Sequence, residues 1–152
     1  MIFEDLILKE NDIVYFISLR ESIENIITLC GKTSIEIRDV MIIGGSRIGL
    51  NIAKLLEKNY NISLVEKDKA KCEQLASILK KTLVININGH DVKILEEEGL
   101  AEMDALISVT ANSEMNVMTS LVGKNHGIKK TIARIENFDY INLSQSIGVD
   151  TI

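Results

Sequence analysis

The groups best suited to hold a phosphate lie in one short stretch, residues 44–49 (GGSRIG). A turn of the form G-x-G-x-x-G between a strand and a helix presents backbone N–H groups and the positive end of the helix dipole to a pyrophosphate. Ser46 replaces the middle glycine, which tightens the approach of a phosphate. We predict that the whole stretch contacts phosphates, with Arg47 adding a positive charge: Gly44, Gly45, Ser46, Arg47, Ile48 and Gly49.

An acidic residue follows this turn at the spacing of a dinucleotide site. Glu66 ends an apolar run 22 residues after Gly44, where a carboxylate accepts hydrogen bonds from ribose hydroxyls. Its charge disfavours a 2′-phosphate, which points to NAD(H) or an adenosine phosphate rather than NADP(H), although the adjacent Lys67 acts in the opposite direction. The alternative is a turn that needs glycine for steric reasons alone, followed by a solvated strand end.

A regular alternation of strands and helices places these residues. The predicted strands are residues 39–43, 62–65, 83–87, 105–109 and 131–135, and residues 149–152 are a possible sixth. Helices are predicted between them, near residues 48–56, 72–79, 92–97, 113–125 and 138–146. In the first of these, Ile48, Ile52, Leu55 and Leu56 fall on one face. Short apolar strands separated by helices predict a doubly wound parallel sheet, the Rossmann-like α/β class.

A shorter unit precedes this alternation. Residues 12–19 (DIVYFISL) predict a strand, and Ile23, Ile26, Ile27 and Cys30 mark one face of a helix that Gly31 ends. Residues 32–37 form a predicted linker. The expected organisation is therefore a β-α fragment at 1–31, the linker, and a Rossmann-like domain at 38–152.

Composition excludes several kinds of partner. The net charge is −5 and no run of Lys and Arg exceeds two residues, which argues against nucleic acid. No apolar run approaches the roughly 18 residues that a membrane helix needs, and the first residues lack the basic start of a signal peptide. We expect a cytoplasmic protein whose link to a membrane comes through a partner.

Catalytic and metal chemistry have little support in the sequence. Cys30, Cys72, His90 and His126 show no metal-ligand spacing, and neither histidine belongs to an acid–base constellation. The chain also has no room for a substrate domain. We predict no catalytic residue and no metal.

Several motifs, read in order, resemble the TrkA-type regulatory domain, also called the RCK or KTN domain. The resemblance runs from about Arg38 to Ile152 and rests on VMIIGGSRIG, LVEKD, NGHDVKILEEEGL, DALISVTANSEMNVMTSL and IKKTIARI. The most specific segment is residues 110–116 (TANSEMN), which looks like the family signature T-x-N-D-E-x-N with Ser113 in place of the acid. It follows the fourth strand, at the edge where such sheets bind ligands, and Asn112 or Ser113 would cap the next helix.

The resemblance implies further ligand contacts beyond the glycine turn, Glu66 and Lys67. Asn88 stands where the family carries an acid near the adenine, and Arg134 matches a recurrent arginine that reaches a ligand phosphate or a neighbouring subunit. The implied additions are Asn88, Thr110, Ala111, Asn112, Glu114, Asn116 and Arg134.

The same resemblance implies a function. Residues 1–30 look like the tail of the family's small C-terminal ligand-binding domain, so the chain is expected to be a piece of a tandem protein. Members of the family bind NAD(H) or ADP/ATP and assemble into dimers or rings on the cytoplasmic face of a potassium channel or transporter. Two other classes stay open: a fragment of an NAD-dependent oxidoreductase, and a structural oligomerisation module whose nucleotide site has decayed through changes at Ser46, Asn88 and Ser113.

Overall fold

A computed structural model describes residues 7, 9, 14–31, 36–136, 141, 144 and 147–151. The chain divides into two compact units, Met1–Ile35 and Glu36–Ile152. The sheet and the predicted site belong entirely to the second unit.

The first unit contains one α-helix, α1 (Ile23–Leu29), which follows a 3-10 turn at Arg20–Ser22. The predicted helix is confirmed, although none of its residues is buried. Val14–Leu19 forms no strand, contrary to the predicted strand at 12–19, whose first two residues lie outside the described part. The reason is physical, since a strand needs a hydrogen-bonded neighbour and none of the described residues of this unit supplies one. The side chains of Tyr15, Ile17 and Leu19 are accordingly exposed.

The second unit is built on five strands separated by helices. The strands are β1 (Asp39–Ile43), β2 (Asn61–Glu66), β3 (Leu83–Asn86), β4 (Ala105–Ser108) and β5 (Lys130–Ala133). The helices are α2 (Arg47–Leu56), α3 (Lys69–Ile78), α4 (Val92–Glu97) and α5 (Ser113–Asn125), with a 3-10 turn at Leu100–Glu102. All pairings are parallel, in the order β3-β2-β1-β4-β5. This is the predicted Rossmann-like α/β class.

Two apolar layers cover the faces of the sheet. Alternate residues of β1 point to opposite sides, so Val40 and Ile42 pack with Ala53 and Leu75 of α2 and α3. On the other side, Met41 and Ile43 belong to a second cluster with Leu95 of α4. Burial of the central strands on both faces explains why they read as continuous apolar runs.

The face of α2 differs from the predicted apolar stripe. Gly49 and Ala53 are the buried residues of this helix, while Ile48 and Leu55 are 41% and 68% exposed. Small residues let the helix backbone lie close to the sheet, which rotates the contact face away from the larger side chains. Ile52 and Leu56, also on the predicted stripe, remain partly buried against the core.

The C-terminal predictions fall partly outside the described residues. Of the helix predicted near 138–146, only residues 141 and 144 are described, and both are helical. The possible sixth strand is represented by one parallel bridge between Thr151 and Ile132, so the described residues 149–151 do not form a strand. Instead, the Asp150 carboxylate accepts hydrogen bonds from the N–H and hydroxyl of Thr131.

Parallel strands bring all their carboxyl ends to one edge of the sheet, where the predicted site residues follow β1 to β5. The opposite edge is joined by the side chain of Asp104, just before β4. Its carboxylate accepts hydrogen bonds from the N–H groups of Arg38 (2.8 Å) and Asp39 (3.1 Å) and contacts Nζ of Lys129 (2.6 Å). The two edges therefore differ. The predicted site residues lie at one edge, and the hydrogen bonds of Asp104 stabilise the other.

Candidate functional site

The glycine turn connects β1 to α2 and depends on glycine at two points. Gly44 has a φ of +111°, and a Cβ there would lie 3.1 Å from the N atom of Thr110. A Cβ on Gly49 would lie 2.0 Å from the carbonyl oxygen of Gly44, well inside contact distance. These two glycines are therefore required by the fold of the turn itself.

Ser46, the departure from the glycine pattern, caps α2. Its Oγ accepts a hydrogen bond from the N–H of Gly49 (3.3 Å) and donates one to the carbonyl of Val109 (3.4 Å). The first contact is an ordinary N-cap interaction, which satisfies one of the free amides at a helix start. The second joins the turn to the residue after β4. The serine therefore stabilises the turn although it departs from the glycine pattern.

Glu66 is bound to the glycine turn through its carboxylate. Glu66 is only 8% exposed, and its Oε2 accepts a hydrogen bond from the N–H of Gly45 at 2.9 Å. Oε1 accepts another from the N–H of Asp68, also at 2.9 Å. Because each carboxylate oxygen can accept two hydrogen bonds and here accepts one, acceptor capacity remains on both for a ribose hydroxyl.

A cleft of about 260 Å³ opens beside this turn at the carboxyl edge of the sheet. It is lined by eight of the residues predicted from the sequence: Gly44, Ser46, Glu66, Lys67, Asn88, Thr110, Ala111 and Asn112. The structure thus brings together loops that follow β1, β2, β3 and β4.

Seven other predicted residues do not line this cleft: Gly45, Arg47, Ile48, Gly49, Glu114, Asn116 and Arg134. Gly45 and Arg47 instead border a second, adjacent cavity. Glu114 is exposed on the first turn of α5. Ile48 and Gly49 lie on α2, whereas Asn116 and Arg134 contact the loop that carries Thr110.

Asn116 organises the loop between β4 and α5. It is 1% exposed, and its Oδ1 accepts hydrogen bonds from the N–H (3.0 Å) and hydroxyl (2.6 Å) of Thr110. Its Nδ2 donates to the carbonyls of Thr110 and Arg134. The guanidinium of Arg134 also donates to the Thr110 carbonyl and pairs with Glu136. Asn116 and Arg134 therefore hold Thr110, which faces the cleft.

Two further residues of the TANSEMN segment have local partners. Asn112 caps α5, since its Oδ1 accepts a hydrogen bond from the N–H of Met115 at 2.8 Å. The hydroxyl of Ser113 accepts one from the N–H of Glu136 at 3.0 Å. Ser113, which replaces the family's acid, thus ties α5 to the segment after β5.

Sequence reasoning missed two polar side chains of the cleft, Lys71 and His90. Lys71 lies on α3, three residues beyond its N-cap Asp68, and gave no recognisable signal. The Nδ1 atom of His90 is buried without a hydrogen-bond partner among the described residues. A buried polar atom without a partner is uncommon, and it suits a site completed by a ligand.

The cleft carries more positive than negative charge, although the chain as a whole is acidic. Glu66 is its one carboxylate, whereas Lys67 and Lys71 both line it. Neither lysine forms an ion pair with the described residues. A local excess of cationic groups at a sheet edge favours an anionic ligand.

The nearest cysteine is held as an uncharged thiol. Burial raises the pKa of the Cys72 thiol, and its Sγ donates a hydrogen bond to the carbonyl of Glu66 at 3.2 Å. A raised pKa disfavours the reactive thiolate. In the described part of the chain, no group of three or more His, Cys, Asp or Glu side chains is placed to hold a metal ion.

A doubly wound parallel sheet with a glycine turn at the start of its first helix defines a Rossmann-type nucleotide-binding fold. Residues 40–152 match the family model of the TrkA-N domain. The chain belongs to this family, which confirms the resemblance drawn from its motifs.

Curated relatives extend over nearly the whole chain. The Trk system potassium uptake protein trkA homolog 1 of Methanosarcina mazei is 34% identical over 148 residues, which are 96% of this chain and 36% of the relative. The Trk system potassium uptake protein TrkA of Halomonas elongata is 31% identical over 146 residues, with 96% and 32% covered. The chain spans about one third of the length of these relatives.

Solved structures show the same fold at low identity. The TrkA-N domain of the inner membrane protein ybaL from Escherichia coli has a TM-score of 0.65 at 17% identity, with 78% of this chain and 87% of that chain covered. A GsuK channel bound to NAD also has a TM-score of 0.65 at 17% identity, with 85% and 24% covered. No helix in the described ranges is long and apolar enough to cross a membrane.

Proposed function

We propose that this chain is a cytoplasmic nucleotide-binding regulatory part of a Trk- or Ktr-type potassium uptake system. The observation that carries the proposal is the cleft at the carboxyl edge, where the glycine turn, Glu66, Lys67 and Lys71 lie together. The names of the two curated relatives described above, which refer to potassium uptake, supply the transport context.

NAD(H) is the proposed ligand, with ADP or ATP as alternatives. The free amides at the start of α2 and the ammonium groups of Lys67 and Lys71 would hold phosphates. Glu66 has acceptor capacity for ribose hydroxyls, while Asn88 and His90 supply polar groups for a base. The bound nucleotide would serve as a regulatory ligand, so its redox chemistry is not needed.

Regulation requires that the ligand bind two conformations with different affinity. In our proposal the chain self-associates into dimers or a ring on the inner face of the membrane, attached there through the transporter subunit. Nucleotide binding would bias the conformation of this ring and so gate the transporter. Neither nucleic acid nor direct membrane insertion has a part in this scheme.

The two competing functions have weaker support. For an oxidoreductase, the support is weaker because the relatives' names describe potassium uptake rather than a reaction. For a decayed structural module, the argument from altered residues loses force. Ser46 caps α2, Ser113 binds Glu136, and Asn88 Oδ1 accepts a hydrogen bond from His90 N–H, so all three changes are accommodated.

The test is a thermal-shift titration with NADH, NAD, ADP and ATP. A ligand at about 100 times its Kd stabilises the folded chain by about 2.7 kcal/mol, so at least one of the four should raise Tm. No shift at millimolar concentration would favour the structural module. Turnover of NADH with a small substrate would favour the enzyme.

A matched pair of variants locates the binding. Ala111 lines the cleft and is exposed, so Ala111→Trp should fill the cleft at little cost to the core and abolish the ligand-induced shift. Ala101→Trp makes the same change at an exposed position on the 3-10 turn after α4 and should retain the shift. Equal behaviour of the two variants would place the ligand elsewhere.

A further inference from the structure

A second cavity of about 210 Å³ adjoins the cleft on the side of α2 and α3. The two cavities share Ser46 and Lys71. We propose that the second cavity binds a phosphate monoester on the ribose of the bound nucleotide, so that the site accepts NADP(H) as well as NAD(H). This inference rests on the proposed nucleotide-binding function.

The charges around the second cavity suit a phosphate. Arg47 and Lys71 both line it, Gln74 adds a side-chain amide, and no lining residue is acidic. Neither Arg47 nor Lys71 forms an ion pair with the described residues, whereas Arg38, Lys124, Lys129 and Arg134 each pair with a carboxylate. Two unpaired cations and an amide donor match the oxygens of a dianionic phosphate.

Gly45 connects the ribose position to this cavity. Its N–H donates to Oε2 of Glu66, and Gly45 itself lines the second cavity. The missing side chain is necessary, because a Cβ would lie 2.5 Å from Cδ1 of Leu75 and 3.0 Å from Glu66 Oε2. A ribose bound at Glu66 would therefore lie beside the cavity that Arg47 and Lys71 line.

The carboxylate of Glu66 is a weak barrier to a ribose phosphate in this arrangement. Exclusion of a 2′-phosphate depends on a free negative charge at the end of the second strand. Here both oxygens accept backbone N–H groups, from Gly45 and Asp68, and Lys67 and Lys71 line the same cleft. Hydrogen bonds and nearby cations both reduce the repulsion that an added phosphate would meet.

The experiment compares NADPH and NADH on the full chain by the fluorescence of the reduced nicotinamide. Wild type should bind the two with Kd values within about threefold of each other. Arg47→Gln should raise the ratio of the NADPH Kd to the NADH Kd about tenfold, the usual effect of one charge-assisted hydrogen bond. Lys54→Gln, the same loss of charge on an exposed face of α2, should leave the ratio unchanged.

The outcomes separate the two proposals. If neither dinucleotide binds, the proposed function fails and this inference fails with it. If NADH binds and NADPH is more than tenfold weaker in wild type, or if Arg47→Gln and Lys54→Gln give the same ratio, only the inference fails. Millimolar inorganic phosphate should weaken NADPH more than NADH. If it strengthens NADH instead, the cavity takes free phosphate and the ribose-linked assignment is wrong.

Discussion

Asn116, a residue of the TANSEMN motif, acts from beneath the surface of the site. Four hydrogen bonds join its amide to Thr110 and to the carbonyl of Arg134, and almost none of the residue is exposed. Removal of this amide would leave the buried N–H of Thr110 without its acceptor. The residue therefore controls the position of a cleft-lining loop without lining the cleft.

We expect Asn116→Ala to lower the free energy of unfolding by about 2–3 kcal/mol, because buried polar partners lose their hydrogen bonds. Urea denaturation at neutral pH measures the loss. Asn125→Ala is the matched control on the same helix, at an exposed position, and should cost under about 0.5 kcal/mol. Similar losses in the two variants would show that the network contributes little.

Sequence patterns found the residue types of this site but could not assign their tasks. Thr110, Asn112 and Asn116 were all predicted to bind the ligand. The helix cap that Asn112 forms was also predicted, whereas the burial of Asn116 beneath the loop was not. Asn116 also donates to the carbonyl of Arg134 after β5, and this contact depends on the pairing of β4 with β5, which local spacing does not encode. Lys71 was missed because only the packing of α3 against β2 and β3 brings it to the cleft.

At the scale of elements, Asp104 ties the start of β1 to β4 and β5. The Lys129 ammonium and the N–H groups of Arg38 and Asp39 lower the pKa of the Asp104 carboxyl from 3.8 to about 2. A carboxyl whose pKa is lower in the folded than in the unfolded chain stabilises the fold at pH values above its pKa in the unfolded chain. This stabilisation disappears as the pH falls through the pKa of the folded chain. Its loss is expected between about pH 4 and pH 2.

Asp104→Asn should therefore lower the urea midpoint at pH 7, and the gap from wild type should narrow as pH falls from 4 to 2. Lys129→Met removes the largest cause of the shift. In this variant, the pH range over which stability is lost should lie closer to pH 4 than in wild type. Urea midpoints measured from pH 2 to pH 7 test both variants. A gap that is constant with pH would contradict the role given to this carboxylate.

The elements themselves were largely predictable. Strands β1 to β5 lie within two residues of their predicted limits, because buried parallel strands produce apolar runs that end at polar loop residues. The errors arose where tertiary contacts decide. Val14–Leu19 has a strand-like composition without a paired neighbour, and α2 packs through Gly49 and Ala53 rather than through its larger apolar residues.

For the whole molecule, the division into two units predicts independent folding of the second. Residues 36–152 contain all five strands and both main core clusters. A chain limited to these residues should unfold in one cooperative transition and bind nucleotide within about twofold of the full chain. Circular dichroism melts and the thermal-shift titration measure the two properties. If this shorter chain has a fluctuating core that binds ANS, residues 36–152 do not fold independently of the first unit.

The contact between Gly49 and the carbonyl of Gly44 has a consequence for recognising related sequences. At 2.0 Å, a methyl group at position 49 would disrupt the turn before any ligand was present, whereas position 46 carries serine and gains a helix cap. The final glycine of the pattern, Gly49, is thus required for folding, whereas the middle position, Ser46, tolerates substitution. A search that permits serine in the middle and insists on glycine at the end would retain chains such as this one and discard those unable to form the turn.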